Sequence, residues 1–235
     1  MIVSRETSAS RPEVIAIDGP GGVGKSTVAR RLAEQLGYFF LSSGMIYRAM
    51  AWYLTRRGWK EGEPPSDDLL DGLAIRVDPE GEVFVNDAPV AKELREEAIS
   101  RAASLISTHP LVRARSNALQ RQVVETIGAE SSFPGVILEG RDIGTVVFPD
   151  APHKFFLTAS EEVRAERRFL EERRNQRDLS REAVREALRE RDQRDRTRKE
   201  APLRPAEDAL TIDTSGLSLP QVVQEILARI GADAG

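Results

Sequence analysis

The stretch Gly19-Pro20-Gly21-Gly22-Val23-Gly24-Lys25-Ser26 decides the fold of this chain of 235 residues. It follows an apolar run at residues 14–17 and leads directly into a pattern typical of a helix, Lys25–Leu36. Glycines allow the backbone to curl so that successive N–H groups point inward, and the helix that follows adds the positive end of its dipole. The spacing G-x-x-x-x-G-K-S therefore predicts a buried strand, a phosphate-binding loop (P-loop) and a helix in succession.

Two side chains of the P-loop carry specific chemistry. We expect the Lys25 ammonium to reach the β- and γ-phosphate oxygens of a bound polyphosphate, and the Ser26 hydroxyl to ligate the Mg²⁺ that bridges them. Only five of the 34 basic residues in the chain are lysines. A lysine at the position where a P-loop requires one therefore strengthens this interpretation.

Composition argues against several classes of site and partner. The chain contains no cysteine and two histidines, which excludes disulfides and thiolate metal sites and disfavours a histidine-based metal centre. A net charge of −4 argues against a general nucleic-acid-binding protein. Because no apolar run approaches the ~20 residues that span a bilayer, and residues 1–13 lack the apolar core of a signal peptide, we expect a cytoplasmic protein with no membrane partner.

Apolar strand patterns alternate with helical patterns along the chain. This alternation predicts an open parallel sheet with helices on both faces, which binds its ligands at the carboxyl ends of the strands. Two charge-dense helices are predicted at 160–174 and 180–198. The predicted strands lie at 14–18, 38–41, 135–139, 154–158 and 210–213.

Two segments fall outside this alternation. Residues 58–98, with turn signals at 78–81 and 86–87, predict a small antiparallel sheet that forms its own lobe as an insertion. A helix is predicted to follow at 93–107. Residues 1–12 are rich in serine and threonine, and we expect them to be a disordered leader.

Polar motifs follow three of the predicted strands. The P-loop follows the first strand, Ser42-Ser43-Gly44-x-x-Tyr47-Arg48 the second, and Gly140-Arg141-Asp142 the third. Because the carboxyl ends of parallel strands meet at one edge of a sheet, we expect these motifs to share one cleft. The guanidinium groups of Arg48 and Arg141 would bind a second anionic group there, and the Asp142 carboxylate would accept a hydrogen bond from an amine or hydroxyl.

A further motif is Arg191-Asp192-Gln193-Arg194-Asp195-Arg196-Thr197-Arg198. One face of a helix would meet a substrate there, while neighbouring arginines would neutralise a transferring phosphate. The alternative is a solvent-exposed helix with Asp–Arg pairs, which the near balance of acids and bases favours for the rest of 160–198. Helical geometry groups Arg191, Asp195 and Arg198 on one face, sets Arg194 beside it and turns Arg196 to the opposite side.

Together these motifs resemble those of the nucleoside monophosphate kinases and, among them, the bacterial cytidylate kinases. The resemblance runs in order from Ile15 to beyond Leu203, and one departure is Ser42, where an acidic residue is common in the family. Its most specific stretch is Gly140-Arg141-Asp142-x-Gly144-Thr145-Val146-Val147-Phe148-Pro149. The other matching stretches are Asp18-Gly19-Pro20 through Lys25-Ser26-Thr27, Ser43-Gly44-x-x-Tyr47-Arg48, Ala103-Ser104 with Arg113, and residues 191–198 followed by Ala201-Pro202-Leu203.

The resemblance implies an α/β fold of the P-loop type. It is a three-layer sandwich with a five-stranded parallel sheet and a helical lid, here at 160–200, within a kinase domain at 13–235. The monophosphate-binding lobe would occupy 42–130 and carry a small antiparallel-sheet insertion of three strands at about 58–98.

The resemblance also implies a role for each matching residue. Arg48 and Arg141 would grip the acceptor phosphate, while Arg194 and Arg196 would face the donor phosphates. The pyrimidine would be recognised by Ser43, Arg113, Asp142 and Arg198, and the pentose by Ser104, Arg191 and Asp195. The predicted catalytic residues are Lys25, Arg141, Arg194 and Arg196. ATP binding is assigned to Gly19, Pro20, Gly21, Gly22, Val23, Gly24, Lys25, Ser26 and Thr27, with Ser26 also holding Mg²⁺.

The resulting hypothesis is an enzyme that transfers the γ-phosphoryl group of ATP to CMP or dCMP with Mg²⁺. The acceptor is already an anionic phosphate, so no strong general base is needed. A kinase for UMP, AMP, dTMP or shikimate is an alternative, and so is a nucleotide-dependent switch or RNA-binding module that uses the arginine-rich helix. The net negative charge opposes the last of these. We expect a monomer, because no long uninterrupted apolar face requires a partner.

Overall fold

The computed structural model describes residues 12–130 and 133–233. Its strands are β1 (Glu13–Asp18), β2 (Phe39–Ser42), β3 (Ile75–Val77), β4 (Val83–Val85), β5 (Ala88–Pro89), β6 (Gly135–Glu139), β7 (His153–Thr158) and β8 (Leu210–Asp213). Its α-helices are α1 (Lys25–Leu36), α2 (Ser43–Arg56), α3 (Asp67–Leu70), α4 (Glu97–Ile106), α5 (Pro110–Glu130), α6 (Glu161–Arg174), α7 (Arg181–Thr197) and α8 (Leu219–Asp233). A 3₁₀ turn at Glu93–Arg95 and a π-helical turn at Ile143–Val147 complete the elements.

The central sheet has five strands in the order β2-β6-β1-β7-β8. All four neighbouring pairs are parallel, and Ile15 of β1 lies between Ile137 of β6 and His153 of β7. The chain therefore leaves β1 toward β2 and β6 on one side and reaches β7 and β8 on the other. Ligands bind at such a switch in strand order, beyond the carboxyl ends of the strands. The predicted parallel sheet is confirmed, and the P-loop follows its middle strand.

Both faces of β1 are covered, which explains its continuous apolar run. Val14 and Ala16 belong to one hydrophobic cluster with residues of α2, α4 and α5, while Ile15 and Ile17 belong to a second cluster with residues of α1 and α8. Successive side chains of a strand point to opposite faces, so a strand between two helical layers needs apolar residues at every position.

Helix ends follow their local sequence signals. Helix α1 has the predicted bounds and ends at Gly37, whose φ of 66° is left-handed. The Ser160 hydroxyl accepts the Val163 N–H at the start of α6 at 3.3 Å, and the Ser180 hydroxyl accepts the Ala183 N–H at the start of α7 at 3.1 Å. We call α6 and α7 the lid helices.

The insertion is a three-stranded antiparallel sheet in the order β3-β4-β5. Asn86 and Asp87 form its second turn with φ of 48° and 64°, a left-handed conformation that these residue types tolerate in tight hairpins. The predicted separate lobe differs from the structure in one respect, since the buried Val85 and Val90 belong to the same hydrophobic cluster as α2, α4 and α5. Strands of two or three residues are too short to build a core of their own.

The sequence predicted a single helix over 93–107, and the structure divides it. Glu96 lies between the 3₁₀ turn and α4 with an extended ψ of 142°, which interrupts the helix. The π-helical turn after β6 was not predicted at all. The expected leader at 1–12 lies outside the described residues except for Pro12. Within the described ranges, no helix combines the length and the apolar character that a membrane span requires.

Candidate active site

The carboxyl ends of β1, β2 and β6 open onto a cavity of about 980 Å³. The P-loop, the start of α2 and the loop after β6 form its floor, and the lid helices form part of its wall. The three motifs expected at one cleft are therefore brought together. The predicted residues that line the cavity are Gly21, Gly22, Val23, Gly24, Lys25, Ser26, Thr27, Ser43, Arg48, Ser104, Arg141, Asp142, Arg191, Asp195 and Arg198.

The remaining predicted residues do not line this cavity. Gly19 and Pro20 are buried at the start of the P-loop, and Arg113 is buried behind Asp142. Arg194 lies 3.7 Å from Glu190 on its own helix, and Arg196 is exposed. The helical rotation that brings Arg191 and Asp195 inward turns Arg196 outward. Neither Arg194 nor Arg196 lines the cavity in this arrangement.

Glycines allow the P-loop to pack tightly against neighbouring elements. A Cβ on Gly19 would lie 2.1 Å from the carbonyl oxygen of Leu157 in β7. Gly22 has a φ of 78°, and a Cβ there would lie 2.8 Å from the carbonyl oxygen of Arg164 in α6. The loop is thus confined between the sheet and a lid helix, which fixes its curvature.

The first turn of α1 presents its backbone donors to the cavity. The helix begins at Lys25 after the left-handed Gly24, and within the described chain no side chain caps this turn. The N–H groups of a first helical turn have no partner inside the helix. Such donors, together with the helix dipole, form a binding place for phosphate.

Lys25 is 5% exposed, and its amine donates to the carbonyl oxygen of Pro20 at 2.7 Å. Burial, followed by the charges of Arg141 and Arg191, lowers the pKa of Lys25 to about 7 against the opposing effect of Glu139. A buried ammonium beside two guanidinium groups is stabilised by an anion. The charge of the site therefore favours a phosphate ligand.

Glu139 ends β6 beside the P-loop and is a functional candidate that our sequence analysis missed. Its Oε1 accepts the Ser26 hydroxyl at 3.1 Å and the Ser42 hydroxyl at 2.6 Å. Carboxylate and hydroxyl oxygens are the ligands that Mg²⁺ prefers, and Mg²⁺ keeps several further oxygens from water and phosphate. These residues fit a magnesium ion held jointly with a nucleotide. The available signal was an acid at the end of an otherwise apolar strand.

A buried pair of opposite charges forms one end of the cavity. Asp142 is paired with Arg113 at hydrogen-bond distance, and Arg198 Nη2 lies 3.4 Å from Asp142 Oδ1. Arg113 Nη1 also donates to the Tyr47 hydroxyl at 3.3 Å. Ser43 is buried nearby at the start of α2. Such a set of fixed donors and acceptors can read the edge of a polar ring.

The middle of the cavity is rich in cations. Arg141 Nε donates to Asp195 Oδ2 at 3.0 Å. Burial, followed by Arg141, lowers the pKa of Arg191 to about 10. Burial, followed by Arg168, lowers the pKa of Arg48. Arg168 was not predicted, because the balanced charges of α6 indicated a solvated helix face.

Asp195 is the carboxylate that partly offsets these cations. Burial alone would raise its pKa, but Arg141, Arg191 and Arg198 outweigh burial and hold the pKa below its ordinary value. The Asp195 carboxylate therefore stays charged in the cavity. A carboxylate of this kind accepts hydrogen bonds from hydroxyl groups.

Asp18 organises the loop after β6 and was also missed. Its carboxylate accepts the N–H of Ile143 at 2.9 Å and of Gly144 at 2.8 Å, which begins the π-helical turn. Burial raises the pKa of Asp18 to about 6. Arg141 and Asp142, which line the cavity, directly precede the two residues that Asp18 binds.

The lid helices hold the P-loop through both backbone polar groups of Gly21. Asp192 Oδ1 of α7 accepts the Gly21 N–H at 3.4 Å, and Arg164 Nη1 of α6 donates to the Gly21 carbonyl oxygen at 3.1 Å. Arg164 and Asp192 also pair with each other, and both are buried. The alternating charges of this region predicted surface pairs, which is why this contact could not be recognised from the sequence.

Comparison with known proteins agrees with this geometry. A model of the cytidylate kinase family matches residues 15–232. A cytidylate kinase from Pelotomaculum thermopropionicum is 43% identical over 223 residues, which cover 93% of this chain and 96% of that protein. One from Pseudomonas entomophila is 39% identical, with 94% of this chain and 97% of that protein covered. One from Thermotoga neapolitana is 42% identical, with 92% of this chain and 96% of that protein covered. A match that begins in β1, passes through every element around the cavity and ends in α8 shows that the chain belongs to the cytidylate kinase family.

Proposed function

We propose that this chain transfers the γ-phosphoryl group of ATP to CMP or dCMP, which yields ADP and CDP or dCDP. The observation that carries the proposal is the convergence of Lys25, Arg48, Arg141, Arg168 and Arg191 on one cavity. Burial, followed by the charge of Arg141, lowers the pKa values of both Lys25 and Arg191. Two phosphate-bearing ligands would supply the compensating negative charge, and their combined size suits a cavity of about 980 Å³.

The donor end of the cavity is the P-loop. Its backbone N–H groups and Lys25 would bind the β- and γ-phosphates of ATP. Ser26 and Glu139 would hold Mg²⁺, directly or through water. When bound, Mg²⁺ neutralises the charge that develops on the transferring phosphoryl group.

The acceptor end lies between α2, α4 and the loop after β6. Arg48 and Arg141 bind the phosphate of CMP in this proposal. Ser104, Arg191 and Asp195 contact the pentose. The cytosine is read by Ser43, Arg113, Asp142 and Arg198. Cytosine presents an amine where uracil presents a carbonyl, so a charged acceptor such as Asp142 favours cytosine.

Transfer in this site depends on positioning and charge. The attacking oxygen belongs to an already ionised phosphate, so a general base contributes little. Arg141, Arg168 and Arg191 neutralise the equatorial oxygens of the transferring group. The lid helices limit access of water, which protects ATP from hydrolysis. Arg194 and Arg196, which our sequence analysis assigned to the donor phosphates, remain candidates for this role on α7, and Arg168 of α6 is an additional one that lines the cavity.

In this function the chain acts as a monomer in the cytoplasm, on free nucleotides rather than on nucleic acid or at a membrane. The net charge of −4 supports the absence of a nucleic-acid partner. Of the exposed large apolar side chains, Leu170 and Leu219 line the cavity, so they do not form a separate docking face. Sedimentation equilibrium with and without nucleotides tests the monomer.

The test of the reaction is ADP release from ATP and Mg²⁺ with CMP, dCMP, UMP, AMP, dTMP or shikimate at equal concentrations. We expect CMP and dCMP to support the fastest release. Preference for another acceptor would retain the P-loop chemistry and overturn the assignment of the base-reading residues. Absence of acceptor-dependent release would overturn the kinase proposal.

A further inference from the structure

We infer that Glu172 is a positioning residue that links closure of the lid helices over α4 to the placement of Arg168 in the cavity. The inference rests on the proposed function, because it assigns Arg168 to the transferring phosphate. Its structural basis is a chain of contacts from Arg168 through Glu172 and Arg177 to the backbone of Arg95.

Glu172 is a buried carboxylate in the last turn of α6, where the neighbouring Glu171 and Arg173 are exposed. Its side chain is 4% exposed. Oε1 lies 2.5 Å from Arg168 Nη2, and Oε2 accepts a hydrogen bond from Arg177 Nη1 at 2.8 Å. Each oxygen therefore binds one arginine. A glutamate is seldom fully buried unless its charge is paired. Loss of one partner leaves a buried charge that lowers the stability of the protein.

Arg177 connects Glu172 to the segment before α4. Its Nη2 donates to the carbonyl oxygen of Arg95 at 2.6 Å. The preceding Gln176 has a left-handed φ of 58°, and the Arg177 N–H donates back to the Glu172 carbonyl oxygen at 3.0 Å. This turn places Arg177 over the end of α6. There both terminal nitrogens of its guanidinium group donate hydrogen bonds.

Arg95 lies directly before the helix that carries acceptor-side residues. It ends the 3₁₀ turn, and α4 begins two residues later at Glu97. Ser100 of α4 accepts a hydrogen bond from Arg48 Nη2 at 3.1 Å. Arg48 is in turn an electrostatic neighbour of Arg168. The contacts thus run from α6 to the segment before α4, and from α4 to α2, where Arg48 and Arg168 both line the cavity as like charges.

The Glu172 carboxylate binds two arginines with different surroundings. It holds Arg177, whose contact with Arg95 exists only when the lid helices lie against the segment before α4. It also holds Arg168, whose guanidinium group lines the cavity. Charge-assisted hydrogen bonds of this type are strong and directional. Contact of the lid helices with the segment before α4 and the position of the Arg168 guanidinium group therefore depend on one another.

The test compares Arg177→Ala, Glu172→Gln and the double variant. Arg173→Ala is the matched control, because Arg173 is an exposed arginine of the same helix that contacts the Phe169 ring. We expect each single variant to lower kcat with CMP about tenfold while KM for ATP changes less than twofold. The double variant should lose no more than the single ones, because both remove the same coupling. Unfolding midpoints in urea identify any loss that comes from instability.

Arg177 also lines the cavity, and direct contact with substrate is the rival explanation. In that case the effects of Arg177→Ala and Glu172→Gln on kcat would multiply, which would overturn the inference. Activity of Arg177→Ala equal to that of Arg173→Ala would overturn it as well.

A second readout does not depend on the reaction. Hydrogen exchange of the free protein should become faster at residues 93–106 and in the lid helices in both single variants, and stay unchanged in Arg173→Ala. A protein that shows these changes but does not phosphorylate CMP would refute the proposed function and leave the link between lid and α4 intact. A wild type active on CMP whose exchange is unaffected by either variant would refute the link alone.

Discussion

At the scale of single residues, Lys25 shows how this site depends on its ligand. Burial lowers its pKa from 10.5 to about 7. The unfolded chain therefore binds this proton more tightly between pH 7 and 10.5. Below pH 7 the buried ammonium lowers the free energy of unfolding by its full amount. This loss decreases as the pH rises from 7 to 10.5. Bound phosphates favour the charged amine and raise its pKa again.

Proton uptake on ATP binding is the first prediction. At pH 8 the free amine is largely neutral, so binding of Mg²⁺ and ATP should take up close to one proton in the wild type. Calorimetry in two buffers with different ionisation enthalpies measures this number. Lys25→Met should abolish the uptake, whereas Lys60→Met, at an exposed position, should not. Equal uptake in the wild type and Lys25→Met would contradict this account of Lys25.

Asp142→Asn is the second prediction at this scale. The change removes the negative charge that both Arg113 and Arg198 face. We expect KM for CMP to rise at least tenfold, the preference for CMP over UMP to fall, and KM for ATP to stay within about twofold. Stability should fall by about 3 kcal/mol, because two buried guanidinium groups lose their partner. Steady-state kinetics and urea unfolding check both effects, with the exposed Asp150→Asn as control. Unchanged discrimination between CMP and UMP would remove Asp142 from base recognition.

At the scale of elements, the P-loop and the lid helices form one packed unit. The Gly21 N–H donates to Asp192, the Gly21 carbonyl oxygen accepts from Arg164, and Gly22 lies against the backbone of α6. Curvature of the loop and docking of the lid helices are therefore linked by packing. A substitution that separates them should weaken ATP binding even though it leaves every phosphate-binding side chain in place.

Gly22→Ala tests this packing. A Cβ there combines a left-handed φ of 78° with a distance of 2.8 Å to the Arg164 carbonyl oxygen. Gly58→Ala is the matched control, since Gly58 has a φ of 89° with open space around its Cβ. Both should lose about 1 kcal/mol from backbone strain, and only Gly22→Ala should also raise KM for ATP, by about tenfold. Equal KM values for the two variants would mean that α6 does not constrain the loop.

At the scale of the whole molecule, the insertion and the sheet share one hydrophobic core. Val85 of β4 is 1% exposed and lies in the same cluster as Val136 of β6. Both tryptophans, Trp52 and Trp59, also pack in this cluster. Tryptophan fluorescence and far-ultraviolet circular dichroism should therefore report one common unfolding transition.

Val85→Ala tests this shared core. We expect a loss of about 2 kcal/mol from the single transition, because a buried cavity replaces two methyl groups. The two optical probes should still coincide. Glu80→Ala, in the exposed turn before β4, is the control and should change stability by less than about 0.5 kcal/mol. A separate early transition in Val85→Ala would show that the insertion folds as an independent unit.

The elements were largely predictable from the sequence because their signals are local. The apolar run in β1 identified a strand buried on both faces, and the Asn86-Asp87 turn identified a hairpin. The shared core of the insertion was not predictable, because it depends on which helices cover β3 and β4.

Site residues were predictable where they belong to a recognisable sequence motif. They were not predictable where their role depends on buried contacts with distant parts of the chain. Arg141 and Asp142 follow a strand in a specific motif, and both line the cavity. Glu139, Glu172 and Asp192 lie among ordinary charged or apolar neighbours in the sequence. Their importance comes from partners that are between four and 171 residues away, such as Arg168 for Glu172 and Gly21 for Asp192.

The most direct test of the central claim is the formation of CDP from ATP and CMP, followed by chromatography in the wild type and in Lys25→Met. We predict that the wild type forms CDP and ADP in equal amounts. Lys25→Met should lower the rate by about a thousandfold without lowering the unfolding midpoint, because it removes a preorganised charge at the transferring phosphate. ADP formation without CDP, or a Lys25→Met rate close to that of the wild type, would contradict the account.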